Sequence, residues 1–158
     1  MRPDITMRVA TAADAAALFE IHQAAIRLQS AAHYSAQQMS IWFEGRSPAI
    51  YAPYIAASQI WLAERAGIIL GFVGFLPGEV TLLYVRTDLM GQGLGRTLLA
   101  LGVAKARDGH DGPIELAALL NAEGFYQHCG FVSIGRQTFQ RGNPPIDFPV
   151  VLMRSLDP

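Results

Sequence analysis

The chain has 158 residues, of which 51% are hydrophobic and 16% are charged, and its formal net charge is −1. This length fits one domain spanning residues 1–158, and the hydrophobic content excludes an intrinsically disordered chain. The near-neutral charge gives no indication of binding to nucleic acid or to an anionic membrane.

The sequence shows no targeting or membrane signal. Its first residues, Met1-Arg2-Pro3-Asp4, lack the apolar stretch of a signal peptide, and the longest apolar run, residues 68–76, is too short to span a bilayer. Cys129 is the only cysteine, so no intrachain disulfide can form, and we interpret it as a packing residue. The four histidines lack metal-ligand spacing. We therefore expect a cytoplasmic protein with no metal site.

Taken in chain order, the hydrophobic pattern predicts mixed strands and helices. Residues 5–9 form a strand, and a helix follows from the N-cap Thr11, with Asp14 as its capping-box partner, to about Ser30. Ser35 is the N-cap of a second helix. The later predicted elements are helical turns at 51–57, strands at 59–64, 68–76 and 80–85, a helix that follows the glycine cluster and carries Leu94, Leu98 and Leu101, a strand at 114–119, a short helix at 121–128, and strands at 131–139 and 148–153.

The order of these elements, β-α-α-β-β-β-α-β-α-β-β, predicts the fold class. It is typical of an α/β (mixed α+β) domain with a single mixed sheet of about six to seven strands and helices on both faces.

A glycine cluster follows the strand at 80–85 and opens the next helix. The first turn of a helix has free N–H groups and the positive end of the helix dipole, and Gly91, Gly93 and Gly95 would let a phosphate approach that backbone. A tight turn that merely requires glycine is the alternative interpretation. A Walker loop fits badly because Arg96 follows Gly95 where lysine is needed, and the G-x-G-x-G pattern lies too late for a dinucleotide fold.

The window Met90-Gly91-Gln92-Gly93-Leu94-Gly95 resembles the Gln/Arg-x-x-Gly-x-Gly/Ala signature of the GCN5-related N-acetyltransferase (GNAT) superfamily. The element order is also similar over essentially the whole chain. Met90 and Thr87 differ from the family's usual Gln/Arg and proline, but neither change removes a backbone donor.

The resemblance implies that acetyl-CoA is the co-substrate. Its pantetheine arm would pair with the strand backbone, and its pyrophosphate would be held by the loop amides. Strands 80–85 and 114–119 would be parallel and would splay apart at their C-terminal ends. The implied cofactor-binding residues are Leu83, Tyr84, Val85, Gly91, Gln92, Gly93, Leu94, Gly95, Arg96 and Asn121.

A second segment, from Asn121 to Phe131, resembles the family pattern Asn-Ala-x-x-Phe-Tyr-x-x-x-Gly-Phe. This resemblance implies that Tyr126 is the general acid that protonates the departing thiolate, and that Asn121 bonds the cofactor arm or caps the helix. Leu119 stands where a polar residue is common, so that contact is expected to be missing. The alternative interpretation of Tyr126 is a core aromatic with its hydroxyl at the surface.

A base would help the acceptor, because a lysine-like amine is mostly protonated at neutral pH. Glu79 resembles in position the family glutamate that deprotonates the amine through water, and Glu115 is the second candidate. A solvent-exposed strand-end carboxylate is the alternative interpretation of Glu79.

The acceptor is expected to be a small-molecule or peptide amine bound near the first two helices and the last strands, and a homodimer is compatible with the chain. The candidate pocket residues are His33, Tyr34, Ser35, Gln38, Trp42, Phe43, Tyr51 and Tyr54, although helix packing is the favoured interpretation of Trp42 and Phe43. The predicted function is acetyl transfer from acetyl-CoA to this amine by direct attack in a ternary complex. Two alternatives stay open: a non-catalytic acyl-CoA-binding or sensing module of the same fold, and an acetyltransferase that acts on a protein amine.

Overall fold

The computed structural model describes residues 4–157 and contains one seven-stranded sheet with five α-helices. The strands are β1 (Thr6–Val9), β2 (Ile60–Arg65), β3 (Ile68–Leu76), β4 (Glu79–Val85), β5 (Glu115–Leu119), β6 (Phe131–Arg141) and β7 (Ile146–Ser155). The helices are α1 (Ala15–Ser30), α2 (Ala36–Trp42), α3 (Ala52–Ala56), α4 (Leu94–Ala106) and α5 (Glu123–His128). The mixed α/β class is confirmed, and α3 corresponds to the helical turns expected at 51–57.

The sheet order is β1-β2-β3-β4-β5-β7-β6, and only the β4–β5 pair is parallel. Helices cover both faces, because alternate residues of a strand point to opposite sides of the sheet. Phe72 packs in a cluster with residues of α1, whereas its neighbour Val73 packs in the cluster that contains the buried leucines of α4. No helix within residues 4–157 is long and apolar enough to cross a membrane.

Two capping boxes fix the starts of the first helical segments. The Thr11 amide donates to Asp14 Oδ2 at 2.7 Å, ahead of a short 3-10 turn that leads into α1. At α2, the Gln38 amide donates to Ser35 Oγ at 3.0 Å, and the Ser35 amide donates to Gln38 Oε1 at 2.7 Å. Each box satisfies donors that a helix start leaves without intrahelical acceptors.

The two parallel strands diverge soon after they meet. Glu79 of β4 and Glu115 of β5 form the one paired position between them. Immediately beyond it, the register of β4 against β3 shifts, because Phe75 pairs with Val80 while Gly74 pairs with Leu82. A β-bulge of this kind bends the strand that carries the extra residue, here Thr81. The C-terminal halves of β4 and β5 therefore separate, as the family resemblance implied.

The last hairpin is longer than the hydrophobic pattern predicted. Strands β6 and β7 pair as far as Arg141 and Ile146, whereas the expected strands were 131–139 and 148–153. The pattern ends early because the extra residues include polar side chains, among them Gln140, Arg141 and Asp147. Pro149 lies just before the stretch of β7 that pairs with β5, which begins at Val150, so its missing N–H breaks no bond to β5.

Two helical glycines give a matched test of packing. A Cβ at Gly102 of α4 would lie 2.5 Å from Val73 Cγ2, whereas one at Gly124 of α5 would meet nothing within 4 Å. We expect Gly102→Ala to lower the free energy of unfolding by about 1–2 kcal/mol, since overpacking against a stiff valine outweighs the gain in helix propensity. Gly124→Ala should instead raise it by up to about 1 kcal/mol. Urea denaturation measures both values, and a stabilising Gly102→Ala would contradict the close approach of α4 to β3.

Candidate active site

A cleft of about 470 Å³ opens where β4 and β5 separate. Its floor is the end of β4, one wall is the start of α4, and the other wall is the segment from the end of β5 into α5. The lining residues are Gln29, Leu83, Tyr84, Val85, Leu89, Met90, Gly91, Gly93, Gly95, Arg96, Asn121, Ala122, Phe125, Tyr126 and His128. The structure thus brings together the two sequence motifs, which lie some thirty residues apart in the chain.

The glycine loop forms the start of α4 with backbone conformations that favour glycine. Gly91 has φ 79° and Gly93, the N-cap residue, has φ 86°. A Cβ at either position would meet nothing within 4 Å, so the space beside this backbone is open. The first regular helical bond is donated by the Thr97 amide to Gly93 O at 3.1 Å. The earlier amides of the helix therefore have no intrahelical acceptor and, with the helix dipole, favour an anion.

Tyr126 lines the cleft from α5 and packs edge-on against Phe125 and Phe131. Burial raises the pKa of Tyr126 above its ordinary value, and nearby Tyr84 and Cys129 add to this rise. The phenol therefore stays protonated at physiological pH and is available as a hydrogen-bond or proton donor.

Asn121 lies on the same wall and is oriented by α1. Ser30 Oγ, at the buried C-terminal end of that helix, donates to Asn121 Oδ1 at 3.0 Å. Because the amide oxygen is used in this bond, the remaining polar group of the side chain is the N–H₂ donor. Asn121 thereby offers donors, not acceptors, beside the cleft.

The floor of the cleft contains an unused backbone edge. Beyond Glu79, β4 has no partner on its β5 side, although its other side pairs with β3. The backbone groups of Leu83 to Val85 that point toward β5 can therefore accept an extended chain as an added strand.

Glu79 lies at the closed end of the cleft, beside Glu115, and neither carboxylate lines the cleft itself. Leu83 lies four residues after Glu79, which corresponds to about 13 Å along a strand. Glu79 is exposed, as its alternative interpretation expected, and desolvation together with the adjacent Glu115 raises the pKa of its carboxyl group. Glu115 is held by an ion pair with Arg154, whose Nη2 lies 3.0 Å from its Oε2.

A narrow recess of about 60 Å³ extends from the cleft toward Glu79 between the separating strands. It is lined by Val80 and Thr81 at one end and by Tyr84, Asn121 and Tyr126 at the other. The buried Thr81 hydroxyl has no hydrogen-bond partner among the residues that the structure describes. A recess of this size with polar lining can hold about two water molecules.

Most aromatic residues suggested for an acceptor pocket lie in the core, which agrees with the favoured packing interpretation of Trp42 and Phe43 and contradicts the pocket interpretation of Tyr34 and Tyr51. Tyr34, Trp42 and Tyr51 are buried, and Tyr34 donates from its hydroxyl to Pro149 O at 2.8 Å. Phe43 packs edge-on against Phe19. These side chains are buried because α2 and the following turn pack against β7 and α1, an arrangement that their spacing in sequence did not reveal.

The polar members of that candidate set have structural contacts or are exposed. Ser35 and Gln38 form the capping box of α2, and Gln38 Nε2 also donates to Asp147 O at 2.7 Å. Tyr54 packs at the edge of the α1 cluster, and His33 is exposed. Burial raises the pKa of the Cys129 thiol, which fits its interpretation as a packing residue. Within residues 4–157, no group of histidine, cysteine or acidic side chains is arranged to hold a metal.

Several lining residues were not singled out from the sequence. Ala122 and Phe125 belong to the second motif and could have been read from it. Gln29 reaches the cleft from α1, where its Nε2 donates to Met90 Sδ at 3.1 Å. No sequence signal connects Gln29 with Met90, since their contact depends on how α1 packs across the sheet.

Comparison with known proteins agrees with this architecture. Residues 30–151 match the acetyltransferase (GNAT) domain family. The L-amino acid N-acyltransferase MnaT of Escherichia coli is 31% identical over 118 residues, and the alignment covers 66% of this chain but only 64% of that protein's length.

Two solved structures have the same fold. One is the GCN5-related N-acetyltransferase from Rhodopseudomonas palustris, whose name also includes "aminotransferase, class II". It superposes with a TM-score of 0.87 at 24% identity, and the superposition covers 98% of this chain and 97% of that protein's chain. The PaiA N-acetyltransferase from Thermoplasma acidophilum in complex with coenzyme A superposes with a TM-score of 0.76 at 20% identity, covering 96% and 98%.

The chain therefore belongs to the GNAT acetyltransferase family, which confirms the resemblance read from its two motifs.

The glycine loop yields a test of anion binding with a matched pair of variants. Gly93→Asp and Gly93→Asn add side chains of nearly equal size at the same positive φ, so both bear similar backbone strain and differ chiefly in charge. If the pyrophosphate of coenzyme A lies against this loop, Gly93→Asp should bind coenzyme A at least about tenfold more weakly than Gly93→Asn, because like charges repel. Titration calorimetry measures both affinities. Equal affinities would mean that the phosphates bind elsewhere.

Proposed function

We propose that this protein transfers the acetyl group of acetyl-CoA to an amine by direct attack in a ternary complex. The observation that carries the proposal is the cleft between the diverging strands, where the glycine loop, an unpaired strand edge and Tyr126 face one space. A purely structural fold would have no need to leave this space open or to gather donors around it. The comparison with a GNAT structure that holds coenzyme A supports the choice of donor.

The residues of the cleft divide naturally between the parts of the co-substrate. The amides at the start of α4, from Gly91 to Arg96, would hold the pyrophosphate. The open edge of Leu83, Tyr84 and Val85 would pair with the amides of the pantetheine arm, and the Asn121 N–H₂ group would donate to one of its carbonyls. The thioester would then lie near Tyr126, at the point where cleft and recess meet.

The reaction requires one bond to form and one to break. The neutral amine nitrogen attacks the thioester carbonyl, the new C–N bond forms, and the C–S bond breaks. The sulfur leaves as a thiolate and takes a proton from the Tyr126 hydroxyl, while the nitrogen loses a proton toward water. Because its raised pKa keeps the Tyr126 phenol protonated, the residue contributes chiefly by donating to the developing thiolate.

Glu79 would receive the proton of the amine through the recess. Its carboxylate is remote from the thioester, but the recess and the partnerless Thr81 hydroxyl lie between the two positions. A raised pKa also makes a carboxylate a better base. The name of the E. coli relative, an L-amino acid N-acyltransferase, favours a small-molecule acceptor over a protein amine.

Release of free thiol from acetyl-CoA in the presence of an amine panel tests the proposal. The wild-type protein should release thiol in an amine-dependent way, and Tyr126→Phe should lower kcat by about tenfold to a hundredfold with little change in KM for acetyl-CoA. This expectation lies at or below the usual contribution of an acid catalyst, because the raised pKa disfavours complete proton transfer. Tight binding of acetyl-CoA without thiol release from any amine would favour a non-catalytic binding module.

The role of Glu79 is tested by the pH dependence of kcat/KM. Glu79→Gln should be most impaired at the low end of the pH range, where neutral amine is scarcest, and its deficit should shrink as pH rises toward the pKa of the amine. Glu115→Gln is the matched control, since it removes the neighbouring carboxylate of the same pair of strands, and its pH profile should remain parallel to that of the wild type. A Glu79→Gln profile parallel to the wild type, or a larger effect at Glu115, would exclude this assignment.

A further inference from the structure

In the part of the chain that the structure describes, Arg46 is a half-buried arginine without a carboxylate partner. Arg8, Arg65, Arg86 and Arg154 each lie within 4.0 Å of a carboxylate. Among residues 4–157, no such ion pair and no side-chain hydrogen bond involves the Arg46 guanidinium, and Arg46 is only partly exposed. Since withdrawing a cation from water is costly unless it is paired, a group of this kind is suited to an anion supplied from outside the chain.

Arg46 lies in a turn that is connected to the central strand β4 through two packed aromatic rings. Its amide donates to Phe43 O at 2.9 Å and so closes the turn after α2. Phe43 packs edge-on against His22, with ring centroids 5.2 Å apart, and His22 stacks on Tyr84 at 4.0 Å. Tyr84 is one of the cleft-lining residues of β4. The turn that carries Arg46 therefore packs on the stack that ends at the cleft.

Electrostatic effects agree with this placement. Burial lowers the pKa of Arg46, and the phenols of Tyr84 and Tyr51 are close enough to raise it in part. Burial also lowers the pKa of His22 to about 3, and the charge of Arg46 contributes to that shift. His22 is therefore neutral at physiological pH, and its Nδ1 shares a hydrogen bond of 2.8 Å with the Tyr51 hydroxyl. Among Arg46, His22, Tyr51 and Tyr84, Arg46 is the one cation.

We propose that Arg46 binds the carboxylate of the acceptor, which is a free α-amino acid. The inference rests on the acetyl transfer proposed above and names its substrate class. A guanidinium matches a carboxylate with two parallel hydrogen bonds, which gives the contact both strength and direction. In an α-amino acid the amine is attached one carbon from the carboxylate, so an anchor beside Tyr84 keeps the nitrogen near the strand where the thioester would lie. In a free α-amino acid the neighbouring carboxylate raises the pKa of the amine above that of a peptide α-amine, so the amine still benefits from a base.

The test compares free L-α-amino acids with the corresponding amino-acid amides, which keep the amine and lose the carboxylate. Wild-type protein should favour the acids in kcat/KM. Arg46→Gln should raise KM for the acids by about tenfold to a hundredfold, as expected for loss of a charge-assisted hydrogen bond, with the amides unaffected. Arg46→Lys should recover part of the loss, since it keeps the charge but not the planar fork. Affinity for acetyl-CoA should stay unchanged in both variants.

The outcomes separate this inference from the proposed function. Turnover of acids and amides with equal kcat/KM, or equal losses for both in Arg46→Gln, would overturn the role of Arg46 while leaving acetyl transfer intact. If the protein turns over no amine, calorimetry in the presence of coenzyme A measures its binding of N-acetyl-L-amino acids and of the corresponding amides. Weaker binding of the acids in Arg46→Gln would support the anchor even then, and binding that does not depend on the carboxylate would exclude it.

Discussion

The bulge at Thr81 of β4 is the local irregularity on which the rest of the site depends. Parallel strands that stay paired leave no space between them, whereas β4 and β5 share only the position of Glu79 and Glu115 before β4 bends away. The bend opens the cleft and leaves the backbone of Leu83 to Val85 without a partner on one side. The end of β4 leads directly into the glycine loop. The open strand edge, which suits an extended ligand, and the loop amides, which suit its anionic end, therefore form one continuous surface.

The two faces of the sheet make different contributions to this cleft. On the α4 side, small residues keep helix and sheet close: a Cβ at Gly71 would lie 3.0 Å from Leu98 Cδ1, and one at Gly102 would lie 2.5 Å from Val73 Cγ2. On the α1 side, His22, Tyr51 and Tyr84 form a buried aromatic wall. Some polar groups at the periphery pair with each other, as in the ion pairs of Arg8 with Asp14 and of Arg154 with Glu115. Among residues 4–157, the Thr81 hydroxyl has no hydrogen-bond partner and the Arg46 guanidinium has no carboxylate partner. In the proposed complex, the bound substrate would supply a partner for Arg46.

The candidate site was only partly readable before folding. Gly91, Gly93, Gly95, Asn121 and Tyr126 each belong to a short motif whose spacing reflects local backbone geometry, and the structure brings them together around one cleft. Glu79 was chosen by position along its strand, but proximity to the reaction centre depends on where β4 and β5 separate, and the structure places it at the closed end. Tyr34 and Tyr51 resembled pocket residues because aromatic composition does not distinguish a binding wall from a core. Arg46 and Gln29 gave no signal, since an isolated charged or polar residue acquires meaning only from its neighbours in space.

The sequence by itself determined the secondary-structure elements, their order and their class. Hydrophobic periodicity, capping residues and positive-φ glycines act within a few residues of the chain. The mixed α/β fold and the helix that begins after Gly93 were therefore predictable. It also determined the family, because the two motifs preserve contacts that are local in the chain. Tertiary structure alone decided the length of β6 and β7, the depth of the cleft, the burial of the aromatic residues and the isolation of Arg46. These features arise from pairing and packing between segments far apart in sequence, and their energies depend on which groups each residue finally meets.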